Sequence, residues 1–143
     1  MRRLVALGAL IAALAVCSTA SSAAPVVIPV NNTDTLFQNV CSFDVLAHIT
    51  SDKEFFRFFS GGQILITGVL KVTMTNQTTK KTLAFNVSGP GRIRPDGTFY
   101  GEGLGFGIDG NTLFLGKGLF RVTPDGQLTQ IGGTRVDLCA ALG

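Results

Sequence analysis

Tyr100, Glu102 and Lys117 are the residues of this chain best spaced for acid–base chemistry. Tyr100 and Glu102 alternate with glycines along an extended run, so both project from one strand face beside Leu104 and Phe106. Burial among such neighbours would raise the Glu102 pKa unless Lys117, opposite it in a hairpin, offset the shift. The three residues therefore read either as a cross-strand ion pair or as the catalytic group of a cyclase- or isomerase-type enzyme with an apolar lumen. His48 and Asp44 share a second strand face and raise the question of a hydrolase. A triad also needs a nucleophile, and Ser42, Ser51 and Ser60 lack the setting of a nucleophile elbow. His48 should look outward, because the opposite face of its strand is the apolar one.

Other chemistry fits less well. Gly105-Phe106-Gly107-Ile108-Asp109-Gly110 has the spacing of a dinucleotide fingerprint, but that motif works by opening a helix whose N-terminus meets the pyrophosphate. A hairpin follows here, so no nucleotide or other cofactor is expected. One histidine and two paired cysteines cannot furnish a closed zinc site, so no metal is expected either. The sequons at Asn31, Asn76 and Asn86 would matter only in a eukaryotic secretory route.

The start of the chain sets the compartment. Arg2 and Arg3, the apolar run Leu4 to Val16 and the small residues Ser18 to Ala24 read as a secretory signal peptide over residues 1–24, cleaved after Ala23 or Ala24. The apolar run is shorter than the roughly 20 residues that a spanning helix needs, so the mature chain should carry no transmembrane anchor. A rival reading makes Leu14-Ala15-Val16-Cys17 a lipoprotein box, with the chain anchored through Cys17. Of the 12 Lys and Arg, two lie in the signal, which leaves ten against nine carboxylates. The Lys80-Lys81 and Arg92 to Arg94 clusters read as solvated strand ends, so nucleic acid is not an expected partner.

After the signal, composition and pattern point to an all-β protein. Residues 25–40 read as a flexible lead and 41–143 as one domain, expected as a monomer. Phe43, Val45, Ala47 and Ile49 alternate with polar residues, as do Ile64, Ile66, Leu70, Val72 and Met74, and then Leu83, Phe85 and Val87. Ser51-Asp52-Lys53-Glu54 has capping-box form and could open a two-turn helix, but its place between two strands favours a strand turning at Ser60-Gly61-Gly62. Pro95-Asp96-Gly97 and Pro124-Asp125-Gly126 are tight turns in similar surroundings. Gly132-Gly133 is either a turn or a bulge in one long strand.

Asp109-Gly110 is the strongest hairpin signal. With those two residues as the turn, Glu102 meets Lys117, Tyr100 meets Leu119, Phe99 meets Phe120 and Gly103 meets Gly116. The glycine face of this hairpin, Gly101, Gly103, Gly105, Gly107, Gly116 and Gly118 with Phe99, Phe114 and Phe120 at its border, is either a site of strand coiling or close packing by a neighbouring segment, or the floor for a flat apolar ligand. Cys41 and Cys139 bracket the domain and should form a disulfide that brings its ends together. An antiparallel up-and-down barrel of about eight strands, closed or nearly so, satisfies that constraint, with a two-sheet sandwich as the alternative.

Cys41-Ser42-Phe43-Asp44-Val45, Thr75-Asn76 with Lys81-Thr82-Leu83, Asn86-Val87-Ser88-Gly89-Pro90-Gly91, Gly118-Leu119-Phe120 and Asp137-Leu138-Cys139-Ala140-Ala141-Leu142 resemble a recurring type of small exported actinobacterial protein. The resemblance covers almost the whole mature chain and implies export and paired cysteines, with no activity or functional residue to carry over. Likeness to pocket barrels such as lipocalins or allene oxide cyclase is architectural only. The expected function is non-enzymatic binding of an apolar small molecule or an envelope component. A barrel enzyme using Glu102 and a structural or protein-interaction module are the alternatives.

Overall fold

The computed structural model describes residues 23–143; the expected signal peptide, but for its last two residues, and Cys17 lie outside the described residues. The domain is one antiparallel sheet of nine strands followed by a single helical turn: β1 (Val26–Pro29), β2 (Thr35–Phe37), β3 (Val45–Phe58), β4 (Ile64–Asn76), β5 (Thr82–Asn86), β6 (Gly91–Ile93), β7 (Phe99–Asp109), β8 (Thr112–Val122), β9 (Leu128–Asp137) and α1 (Leu138–Leu142). The paired order is β1-β3-β4-β6-β7-β8-β9, with β2 alongside β3 and β5 alongside β4.

Several expectations are corrected. The sheet is not closed, because β9 pairs with β8 alone. The cysteines explain why closure is unnecessary. Cys41 precedes β3 and Cys139 lies in α1, not in a last strand, and their bridge holds a Cα–Cα distance of 5.4 Å. The ends are thus joined through the helical turn, whose Leu138 and Leu142 are wholly buried. Residues 25–40, read as a flexible lead, instead supply β1 and β2 to the outer side of β3.

The segment Asp52–Phe58 is strand, as the flanking strands favoured. A bulge at Thr50 shifts the register between Ile49 and Ser51. Val45, Ala47 and Ile49 face the same side as Asp52, Glu54, Phe56 and Phe58, because one extra residue inverts the alternation. The buried core is Val45, Ala47, Val72, Met74, Leu113, Leu115, Leu138 and Leu142, with Phe85, Leu104 and Phe106 packed against it.

The β7–β8 turn is offset by one residue at its tip. Asp109 pairs with Thr112, so Gly110 and Asn111 form the loop. Gly110 has φ +58°, while Asn111 keeps an ordinary negative φ, the pattern of a turn with glycine at its first central position. The register sum consequently moves by two residues, which preserves both faces but changes every partner. Glu102 faces Leu119, Lys117 faces Leu104, Phe99 faces Val122, Tyr100 faces Arg121, and Gly103 faces Gly118. Gly132-Gly133 lies within β9, and the register shift across from Leu119/Phe120 makes Ile131 the extra residue of a bulge.

Three turns at one end are built alike. Phe59, Arg94 and Thr123 each donate their N–H to the carbonyl four residues on and accept from the N–H three residues on. They stand side by side, with the Pro95 ring near Gly62 and the Pro124 ring near Gly97.

Candidate functional site

Register at this turn-bearing end sorts six adjacent strands into two ladders. Phe58, Ile64, Ile93, Phe99, Val122 and Leu128 lie opposite one another in succession, one per strand, and form an apolar row. One step along each strand, Arg57, Leu65, Arg92, Tyr100, Arg121 and Thr129 form the corresponding row on the other face. The alternation of strand side chains makes one face apolar and the other basic.

The apolar row leads into a cavity of about 190 Å³ lined by Phe99, Gly101, Glu102, Leu104, Gly105, Phe106, Phe120, Val122 and Leu128 from the β7–β9 ribbon, and by Glu54, Val87, Gly89, Pro90 and Gly91 from other segments. Leu104 and Phe106 belong to one alternation class of β7, and Phe99, Gly101 and Gly105 to the other. A flat strand would show them to opposite sides. Here the ribbon turns over at Gly103, Gly118 and Gly133, with φ of 108°, 138° and 110° in three neighbouring strands. These values belong to glycine, and a bend repeated across the strands brings both faces of the ribbon to one cleft. A second hollow of about 310 Å³, lined by Phe37, Phe106, Ile108, Leu113 and Leu128, shares Phe106 and Leu128 with the first.

Glu102 lines this cleft as an exposed carboxylate, and Glu54, not singled out from sequence, is its buried one. Glu54 is only 9 % exposed. Burial pushes its carboxyl above the ordinary glutamate range, the hydrogen bond from Asn32 Nδ2 to Oε2 at 3.1 Å pulls it down, and the nearby Asp52 charge pushes it up again. Asn32 also donates through its backbone N–H to Asp52 Oδ2 at 2.8 Å, and the Glu54 N–H donates to Asp52 Oδ1 at 3.1 Å. Asp52, Asn32 and Glu54 thus form one hydrogen-bonded group at the cleft wall. The signal that could have found Glu54 is the Thr50 bulge, which turns a polar alternation inward.

The residues singled out from sequence are distributed over several environments. Phe99, Gly101, Gly105 and Phe120 line the 190 Å³ cavity. The Phe120 ring lies over Gly116, where a Cβ would come within 2.5 Å of it. Gly118 packs against the Gly132 backbone and Gly103 against the Ser88 carbonyl. Phe114 is buried against Gly107 and Leu128, beneath the Arg135 guanidinium at 4.3 Å from its ring centroid. Much of the glycine face is therefore covered by the chain's own phenylalanines and backbone.

Tyr100 and Glu102 share a face, but Glu102 is exposed and Lys117 stands two pairs away in exposed surroundings. Among the described residues the ion pairs are His48–Asp34 and Arg135–Asp109, so Glu102 and Lys117 are not joined. His48 does look outward, at 55 % side-chain exposure, and its partner is Asp34 at 2.7 Å rather than Asp44. The Ile49 N–H also donates to Asp34 Oδ1 at 2.8 Å, and these two bonds hold the Asp34 carboxyl below the ordinary range. Among the described residues, no cluster of three or more His, Cys, Asp or Glu is arranged to hold a metal ion.

No protein-family model matches the chain, and neither a curated protein nor a solved structure matches it. The disulfide is consistent with an oxidising, extracellular location. Among the described residues no helix is long and apolar enough to cross a membrane.

Proposed function

We propose that this is an exported, non-enzymatic binding protein for an apolar small molecule, held in the cleft between β3–β5 and the β7–β9 ribbon. The observation that carries the reading is the wall of Phe99, Leu104, Phe106, Phe120, Val122 and Leu128, with the buried carboxyl of Glu54 set into it and the exposed Glu102 also on the lining. An apolar cavity with one fixed polar group binds a largely hydrocarbon ligand and orients it by one hydrogen bond. The adjoining 310 Å³ hollow extends the apolar surface past Phe106, so the bound molecule is larger than the first cavity alone would hold. Export is supported by the Arg2-Arg3 start with its apolar run, by the Cys41–Cys139 bridge and by the likeness to small exported actinobacterial proteins.

The test is fluorescence titration of the oxidised protein with the neutral probe N-phenyl-1-naphthylamine, followed by displacement with an envelope lipid extract. Saturable enhancement, lost in Val122→Arg and Leu128→Arg, is the expected result. Wild-type protein that gives no saturable signal, or variants that bind as well as wild type, would refute the reading.

A further inference from the structure

Behind the apolar cleft, the opposite face of the same strands gathers positive charge around one tyrosine. Arg92 and Arg121 stand directly across from Tyr100 on its two neighbouring strands. Arg94 places its guanidinium carbon 4.5 Å from the Tyr100 ring centroid. Arg57 lies further along the row, and its Nε donates to Thr67 Oγ1 at 3.3 Å. Among the described residues, no carboxylate comes within 4.0 Å of Arg57, Arg92, Arg94 or Arg121.

Arg92 and Arg121 stand one strand apart on either side of Tyr100, and the sheet gathers these like charges on one face with no ion-paired carboxylate among the described residues. The hollow beside them, about 370 Å³, is lined by Arg92, Arg94, Tyr100 and Glu102 and by the apolar Leu65, Pro90 and Leu119. Glu102 lines the hollow and Asp96 lies close enough to Arg94 to feel its charge, so two carboxylates stand against four guanidiniums and the local balance stays positive. A guanidinium fork matches the paired oxygens of a phosphate or carboxylate, whereas an ammonium would act as a point charge.

We infer that this hollow is an oxyanion site for a phosphate monoester or related anion, whose phosphate meets Arg92 and Arg94, with Arg121 adding its charge from across Tyr100, and whose apolar body rests on Leu65 and Leu119. The ladder explains why the site is invisible along the chain. Arg92 and Arg94 read there as a solvated strand end, and Arg121 joins them only through the β6–β7–β8 register. The hollow adjoins the apolar cleft at Pro90, Gly91 and Glu102, but its arginines, Tyr100, Leu65 and Leu119 are not part of the cleft lining.

Isothermal titration and amide chemical-shift mapping of the oxidised protein with butyl phosphate, inorganic phosphate and butanol test it. Butyl phosphate should bind saturably and more tightly than inorganic phosphate, with shifts centred on Arg92, Tyr100 and Arg121, and butanol should leave those amides unmoved. Arg92→Gln with Arg121→Gln should weaken butyl phosphate at least tenfold, while Lys80→Gln, remote from the hollow, should not. Co-sedimentation with phosphatidylglycerol vesicles, set against phosphatidylcholine alone, assigns the source. Arginine-dependent vesicle binding identifies a lipid headgroup, and binding of butyl phosphate without vesicle binding identifies a soluble monoester. Failure of both butyl phosphate at 10 mM and anionic vesicles to bind, or binding that survives the double substitution in a protein with unchanged circular dichroism, would overturn the assignment.

Discussion

Gly118 and Gly133 face each other across β8 and β9, each with a left-handed φ, and each with its missing Cβ directed at the other strand's backbone. A side chain at Gly133 would drive into the Lys117 carbonyl, and one at Gly118 into the Gly132 carbonyl. The adjacent Gly132 has open space around it and an ordinary φ. Gly133→Ala should therefore destabilise the fold by at least about 2 kcal/mol, combining backbone strain with a backbone clash. Gly132→Ala should be near neutral. Urea denaturation of the two neighbouring variants checks the seam against a general intolerance of β9 to substitution.

The Cys41–Cys139 bridge closes a loop with a sequence separation of 98 residues. Chain entropy assigns such a crosslink about 4 to 5 kcal/mol, a large part of the stability of a domain this size. Cys41→Ser should lower the melting temperature markedly under oxidising conditions and make it insensitive to reductant. Wild-type protein should lose a similar amount when reduced.

Asn76 is 1 % exposed and serves two segments at once. Its Nδ2 donates to the Leu142 carbonyl at 3.1 Å, and its Oδ1 accepts from the Thr78 and Thr79 N–H groups at 2.8 and 3.1 Å. It therefore closes both the end of α1 and the turn after β4. Asn76→Ala leaves these backbone groups without that partner and should cost about 2 to 3 kcal/mol. Loss of α1 amide protection in hydrogen exchange would locate the effect.

Glu54 and Asp34 should impose opposite pH dependences. The folded state raises the Glu54 pKa, so the folded protein holds that proton more firmly and loses stability as pH rises through and above the ordinary glutamate value of 4.5. Asp34 has its pKa lowered, so its contribution is present above the ordinary aspartate value of 3.8 and is lost as pH falls through the folded value. Glu54→Gln keeps an acceptor for Asn32 and removes the buried charge. At pH 7 it should be at least as stable as wild type, with the difference shrinking toward pH 4. Asp34→Asn should be the less stable protein at pH 7 and converge with wild type in acid. Thermal melts from about pH 2 to 7.5 test both signs.

The strands were legible in the chain because the apolar alternation of Val45–Ile49 and Ile64–Met74 and the glycine-containing turns are local signals. The same locality explains the misread details. A two-residue turn at Asp109-Gly110 and one at Gly110-Asn111 both place glycine opposite glycine in β7 and β8, so pattern alone could not choose between them. The choice rests on which tip residue takes a positive φ, and it removes Glu102 from Lys117. Glu54 was hidden because the Thr50 bulge inverts the alternation, and bulges leave little mark on composition.

Local chemistry by itself determined that this chain is an antiparallel β protein with its two downstream cysteines paired, since side-chain period, turn residues and cysteine spacing act over short stretches or by elimination. Tertiary structure alone decided that the sheet stays open, that β1 and β2 line β3, and that a buried Glu54 joins the exposed Glu102 on the lining of the cleft. Those outcomes depend on the bend at Gly103, Gly118 and Gly133 and on register between strands far apart in the chain. Neither is encoded within any one strand.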